Sequence, residues 1–249
     1  MSSPTVATSG GFLNTIRTVV WAVLIALVIR TLLFEPFNIP SGSMIPNLLI
    51  GDYLFVSKYT YGYSRHSVPF SPPLFSGRLP DGAPERGDIA VFKLPLDNKT
   101  DYIKRIIGLP GDRIQVIRGV LHINGQAVRR ERVEDFVYED GLRGVRVPQF
   151  VETLPNGRKY RIIEIQGDQG GLDNTDVYTV PAGHYFAMGD NRDNSQDSRV
   201  LSAVGFVPVE NMVGKAQILF FSHNGAAKIW EVWKWPLAIR FGRLLRGIS

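Results

Sequence analysis

The 249-residue chain is long enough to bury a proper core, as one domain plus an anchor or as two small domains, and 44% hydrophobic residues with 25 Gly and 16 Pro argue for a turn-rich globular protein. Its 28 basic and 23 acidic residues leave a net charge of +5, which suits a surface near anionic lipid; no basic recognition helix, zinc-finger spacing or phosphate loop supports a nucleic-acid partner. Cysteine is absent, which removes disulfides and thiol nucleophiles together, and His66, His122, His184 and His223 are scattered without an HExxH pattern.

Residues 12–34, FLNTIRTVVWAVLIALVIRTLLF, read as a transmembrane helix. At about 1.5 Å per residue they cross a hydrocarbon core of about 30 Å, with Arg30 near one end and able to snorkel. The short uninterrupted apolar core, 19–29, also resembles the middle of a cleaved signal peptide. The bulky Phe34-Glu35-Pro36-Phe37 that follows offers no small-residue cleavage site, so an uncleaved anchor is favoured. Arg17 and the α-amino group place the N-terminus inside and the large domain outside.

After the anchor the pattern is that of strands and turns. A turn at Gly51-Asp52 leads into a strand ending near residue 59, and 61–87 is a Pro/Gly/Ser-rich loop. Strands are expected at 88–93, 101–109 and 112–119, separated by the loop 94–100 and a tight turn at Pro110-Gly111-Asp112. Asn124-Gly125 between LHI and QAV is a hairpin signal, and Gly157 marks another between PQFVET and RKYRIIEI. A polar loop, 167–175, precedes short strands at 178–180, 185–188 and 217–221, with a brief helical turn at 208–213. There is no βαβ rhythm and no internal repeat, so the soluble part is mainly antiparallel β. The tail, 228–248, mixes Trp230, Trp233 and Trp235 with Lys and Arg; it is either a segment lying at the membrane interface or a partly packed terminus.

Three stretches carry candidate chemistry. In the first, Ile39-Pro40-Ser41-Gly42-Ser43-Met44-Ile45-Pro46, two hydroxyls flank a glycine between prolines. A serine held in such a bend could serve as a nucleophile, and a plain linker has the same composition. A serine hydroxyl needs a base, and a lysine qualifies when burial disfavours its charged form. Lys104 is the candidate, because period-two alternation puts it on one face with Tyr102 and Ile106; the competing reading points it to water beside Arg105. In the third stretch, 188–199, Arg192 and Arg199 could brace Asp193 and Asp197, with Ser195 free to bond a nearby amine; a cation-binding or merely solvated loop would look similar.

PSGSMIPNLLIGDY, DYIKRIIGLPGD and GDNRDNSQDSR, in this order behind an N-terminal anchor, closely resemble the bacterial type I signal peptidases. The resemblance implies a mainly β fold: an antiparallel catalytic domain (35–112 and 183–222), a β-rich insertion (113–182) and a single N-terminal transmembrane helix, with terminal tails at 1–11 and 223–249. It implies a Ser/Lys endopeptidase of the cytoplasmic membrane that removes signal peptides from exported preproteins, without metal or organic cofactor. Ser43 would be the nucleophile and Lys104 the base, with Ser41 and the Ser43 N–H facing the oxyanion. Ser195 would orient the lysine, while Asp190, Asn191, Arg192, Asp193, Asp197 and Arg199 would form the supporting framework. Substrate pockets would fall on Phe37, Ile39, Pro40, Met44, Leu48, Leu54, Val91, Tyr102 and Ile103. The best-known Gram-negative relatives in that family carry two membrane spans before the catalytic block and can hold a disulfide in the insertion; this chain departs from both features.

Overall fold

Strand β3 (Ile89–Lys93) shows how the sheet is built: Ile89 and Val91 point into one apolar cluster, Ala90 and Phe92 into another. A strand buried on both faces reads as a continuous apolar run, and IAVF is one. The computed structural model describes residues 11–68, 77–79, 82–140, 143–227 and 230–248. Residues 69–76 and 80–81 of the expected loop at 61–87, residues 1–10 of the N-terminal tail, and residues 228, 229 and 249 of the C-terminal tail lie outside these residues.

Helix α1 (Gly11–Leu32) has no buried residue and is long and apolar enough to cross a membrane. It ends two residues before the expected boundary because Phe34 already belongs to strand β1 (Phe34–Asn38), where its ring packs edge-on against Phe55 and Tyr59. β1 lies at one end of the main sheet, where Pro36, which lacks an N–H, is tolerated.

The main sheet runs β1, β2 (Asp52–Ser57), β14 (Met212–Ser222), β3, β4 (Asp101–Gly108), β12 (His184–Met188), β13 (Val207–Pro208), with β15 (Arg246–Gly247) on β14. All its ladders are antiparallel. The strands between Arg113 and Thr179 form two smaller sheets. One is β11 (Tyr178–Thr179), β5 (Arg113–Ile117), β6 (Val120–Ile123) and β7 (Gln126–Ala127); the other is β10 (Lys159–Ile163), β9 (Arg143–Thr153) and β8 (Arg129–Asp140). The hairpins at Asn124-Gly125 and Gly157 form as expected. The second sheets share a core with the first: Ile114, Leu121 and Ile162 pack with Ile107, Phe186 and Met188.

Besides the end of α1, two elements differ from expectation, while the C-terminal tail packs in part, one of the two readings left open. β8 has no counterpart in the sequence reading, since RRERVEDFVYED carries charges at positions of both parities and shows no apolar alternation. Its ladder to β9 holds it. The helical turn at 208–213 shrinks to Val209–Asn211, because Met212 already pairs with Phe92 and β14 begins there. The C-terminal tail folds back along the main sheet: Arg243 Nη2 sits 2.5 Å from the buried Asp52 carboxylate, and Ile248 packs on the core beneath β2. Trp230, Trp233, Leu237 and Leu245 stay exposed.

Candidate active site

The serine turn is pinned from below and from behind. Met44 and Leu48 sink into the core, and Leu48 N–H donates to the Met44 carbonyl at 2.9 Å, which tightens the bend. From behind, Asn191 donates to the Ser43 carbonyl through its backbone N–H (3.1 Å) and to the Gly42 carbonyl through its side chain (3.1 Å). Gly189 lets this loop approach: a Cβ there would stand 2.6 Å from the Ser43 carbonyl and 2.2 Å from Ser195 Oγ. Ser43 ends up 8% exposed.

Lys104 is 4% exposed and pairs across the sheet with Ala90. Its amine donates to Ser43 Oγ at 2.8 Å and to the Ile103 carbonyl at 3.0 Å. Burial pulls its pKa from the ordinary 10.5 down to about 8, against the weaker upward pull of the Asp197 and Asp190 carboxylates. About a tenth of the amine is therefore neutral at pH 7, and the neutral form can accept a proton from the hydroxyl it touches.

The loop 189–199 is rigidified by ion pairs, each directed differently. Arg199 grips Asp197 bidentately at 2.9 Å, and Asp197 also accepts from the Gly189 N–H at 2.9 Å. Burial pushes the Asp197 carboxyl up, but Arg199 and the amide outweigh it and hold the group below the usual carboxylate range. Asp190 takes a bidentate pair from Arg105 at 2.9 Å and a bond from Asn47 at 2.7 Å. Arg105 is 1% exposed and lies 4.2 Å from the Tyr160 ring centre, and Lys104 beside it does not point to water as the alternative reading of this strand had it. Arg192 does not brace Asp193: it reaches out of the loop to Glu152 of β9, at 2.9 and 2.5 Å. Asp193 turns instead towards Glu164 and Asp173.

Ser195 is buried against Gly189 and leans towards the Asp197 carboxylate without a well-formed hydrogen bond; the bonds of the Lys104 amine go elsewhere. Beside the Ser43–Lys104 contact lies a cleft of about 590 Å³. Phe37, Ile39, Pro40, Val91, Tyr102 and Ile103, named above as pocket residues, line it together with Ser41. Met44, Leu48 and Leu54 do not: at 0–1% exposure they form the core beneath it. Asn38, Asp101, Asn194 and Gln196 complete the walls and went unnoticed in the sequence, where nothing but proximity to the three motifs marks them.

The family described as "Signal peptidase, peptidase S26" matches residues 12–221. Signal peptidase I of Rickettsia conorii is 44% identical over 244 residues, covering 92% of this chain and 90% of that protein. Signal peptidase I of Rickettsia typhi is 49% identical over 209 residues, 81% and 77% of the two chains. A crystal structure of a signal peptidase I from Enterococcus faecalis aligns with a TM-score of 0.31 at 26% identity, over 53% of this chain and 96% of that one. The family match over most of the length, together with the identity to these relatives, places the result beyond the three motifs: the chain belongs to the signal peptidase, peptidase S26, family and is a serine endopeptidase.

Proposed function

We propose that the chain removes N-terminal signal peptides from exported preproteins, cutting after small residues of the Ala-x-Ala type with a Ser43/Lys104 dyad. The observation that carries this reading is the 2.8 Å contact between a buried, pKa-depressed amine and a serine hydroxyl at the wall of an open cleft. Two strand edges face that cleft. β1 ends the main sheet, and β12 covers β4 only from Arg105 onwards. An extended preprotein segment adds between them as a strand, and its alternate side chains meet Phe37, Ile39, Val91, Tyr102 and Ile103. Bulky walls of this kind leave room for small side chains.

Lys104 takes the Ser43 proton as Oγ attacks the scissile carbonyl carbon. The oxyanion that forms accepts from the Ser43 N–H and the Ser41 hydroxyl, donors of a kind each worth a factor of about 10²–10³ in rate. The Lys104 ammonium then protonates the leaving amine as the peptide C–N bond breaks, which leaves an acyl ester on Ser43. Water, deprotonated by the same amine, hydrolyses the ester and restores the hydroxyl. The Asp190–Arg199 framework positions the serine turn through Asn191, and the Ile103 carbonyl holds the amine.

In this reading 35–112 with 183–222 is the catalytic body and 113–182 an insertion. Helix α1 spans the cytoplasmic membrane once, with the catalytic side outside. The test is to incubate the full chain in detergent with a preprotein whose signal ends in Ala-x-Ala. Wild type should cleave after that motif, and Ser43→Ala and Lys104→Ala should not. Retained cleavage in both variants would overturn the dyad; binding without turnover by wild type would overturn the signal-peptide assignment.

A further inference from the structure

The parallel bridge between Ile163 and Asn191 brings the residue after β10 against the loop that supports Ser43. Ile163 N–H donates to the Asp190 carbonyl, and Arg192 N–H donates to that of Ile163, both at 3.0 Å. Glu164 and Asp193 are thereby set face to face, and the 167–175 loop contributes Asp173. One carboxylate oxygen from each lies within 4.8 Å of the other two. Glu164 is fully buried and Asp173 nearly so, and neither oxygen of Glu164 has a hydrogen-bond partner among the described residues.

Buried carboxylates are ordinarily hydrogen-bonded, and one with no hydrogen bond to either oxygen calls for a reason. The arginines nearby are engaged elsewhere. Arg192 chelates Glu152, Arg199 holds Asp197, and Arg130 bonds Asp168 at 2.8 Å. Arg130 comes within 3.8 Å of Glu164 Oε1, beyond hydrogen-bond reach. The backbone keeps the other two carboxylates aimed inwards: Gly170 N–H donates to Asp173 at 2.6 Å, and Gln166 N–H to Asp193 at 2.7 Å. Gly170 closes the group on one side, where a Cβ would stand 2.2 Å from Asp193 Oδ1 and 3.0 Å from Asp173 Oδ2.

We propose that Glu164, Asp173 and Asp193 bind one divalent cation of the Ca²⁺ class, which ties the 167–175 loop to the catalytic loop. All donors are hard carboxylate oxygens. They come from separate segments, and the irregular, adaptable geometry that results suits Ca²⁺ better than the strict octahedron Mg²⁺ requires. The cation supplies the close positive charge that Arg130, 3.8 Å from Glu164 Oε1, gives these three groups only in part. It acts on the site already described only through the loop that carries Asn191 and Asp197.

The test is isothermal titration calorimetry and thermal unfolding with CaCl₂, on chelator-treated full-length protein in detergent. Wild type should bind one Ca²⁺ per chain, with an apparent Tm about 3–6 °C higher at a tenfold excess over Kd. Glu164→Gln and Asp193→Asn should each weaken binding at least about tenfold, the difference one well-made charged contact confers, and lose most of the Tm shift at the same CaCl₂ concentration. Glu134→Gln, on the exposed face of β8, should retain both. Asp193 is only half-buried, so its variant keeps the fold if Glu164→Gln does not. No Ca²⁺ binding by wild type, or binding unchanged in Asp193→Asn and Glu164→Gln, would overturn the proposal. Because the readout is binding, it stands apart from whether the enzyme cuts signal peptides.

Discussion

Lys104→Met should inactivate the enzyme and at the same time stabilise it, by an amount that depends on pH. The folded protein holds the Lys104 pKa at about 8, while the unfolded chain restores the ordinary 10.5. The folded value is the lower one, so the unfolded state binds the proton more tightly. The resulting penalty is absent well above pH 10.5, grows as the pH falls through the interval, and is complete below about 8. At ~1.4 kcal/mol per pH unit the full penalty is about 3 kcal/mol. Methionine nearly preserves the volume and removes the charge; losing the bond to Ser43 costs about 1 kcal/mol at every pH. The variant should therefore gain about 2 kcal/mol on wild type at pH 7, which for a chain of this size is a Tm rise of about 4–8 °C, and lose the advantage near pH 10.5. Tryptophan fluorescence during heating, in detergent at several pH values, reads this out. A stability difference that stays flat from pH 7 to 10.5 would refute the claim that burial depresses this amine. The same ionisation governs the wild-type rate: kcat/KM should rise with pH through about 8 and stand about tenfold below its plateau at pH 7.

Two further outcomes follow from the packing behind Ser43. Gly189→Ala forces a Cβ against the Ser43 carbonyl and Ser195, so kcat should fall more than tenfold and stability by about 1–3 kcal/mol; turnover assays with urea unfolding check both. Truncating one partner of the buried Arg192–Glu152 pair strands the other charge. Arg192→Met and Glu152→Leu should each cost about 3–5 kcal/mol, while the double variant recovers most of that loss in a double-mutant cycle.

Much of the site was readable residue by residue. Composition marked residues 12–34 as an anchor, and a lysine among apolar strand residues marked Lys104, because both signals are local: a helix needs length and a strand needs its period. The hairpins at Asn124-Gly125 and Gly157 were legible for the same reason, since positive φ at a turn is a demand on one or two residues. The alternation that put Lys104 beside Tyr102 and Ile106 left open whether its amine met water or Ser43.

Packing across long stretches of chain settled that and the rest. Whether Met44, Leu48 and Leu54 wall a cleft or fill a core depends on which sheet face covers them, and their side chains are equally apolar in either place. Arg105 and Arg192 look like surface charges until Asp190 and Glu152, brought from distant positions, neutralise them. Asn191 acts on Gly42 from 149 residues away, a contact that no local preference encodes. From its order of residues alone, the chain determined an anchored, strand-rich enzyme and nominated its serine and lysine. The tertiary fold alone decided that the two meet, because desolvation and ion pairing depend on which distant segments the sheet brings together.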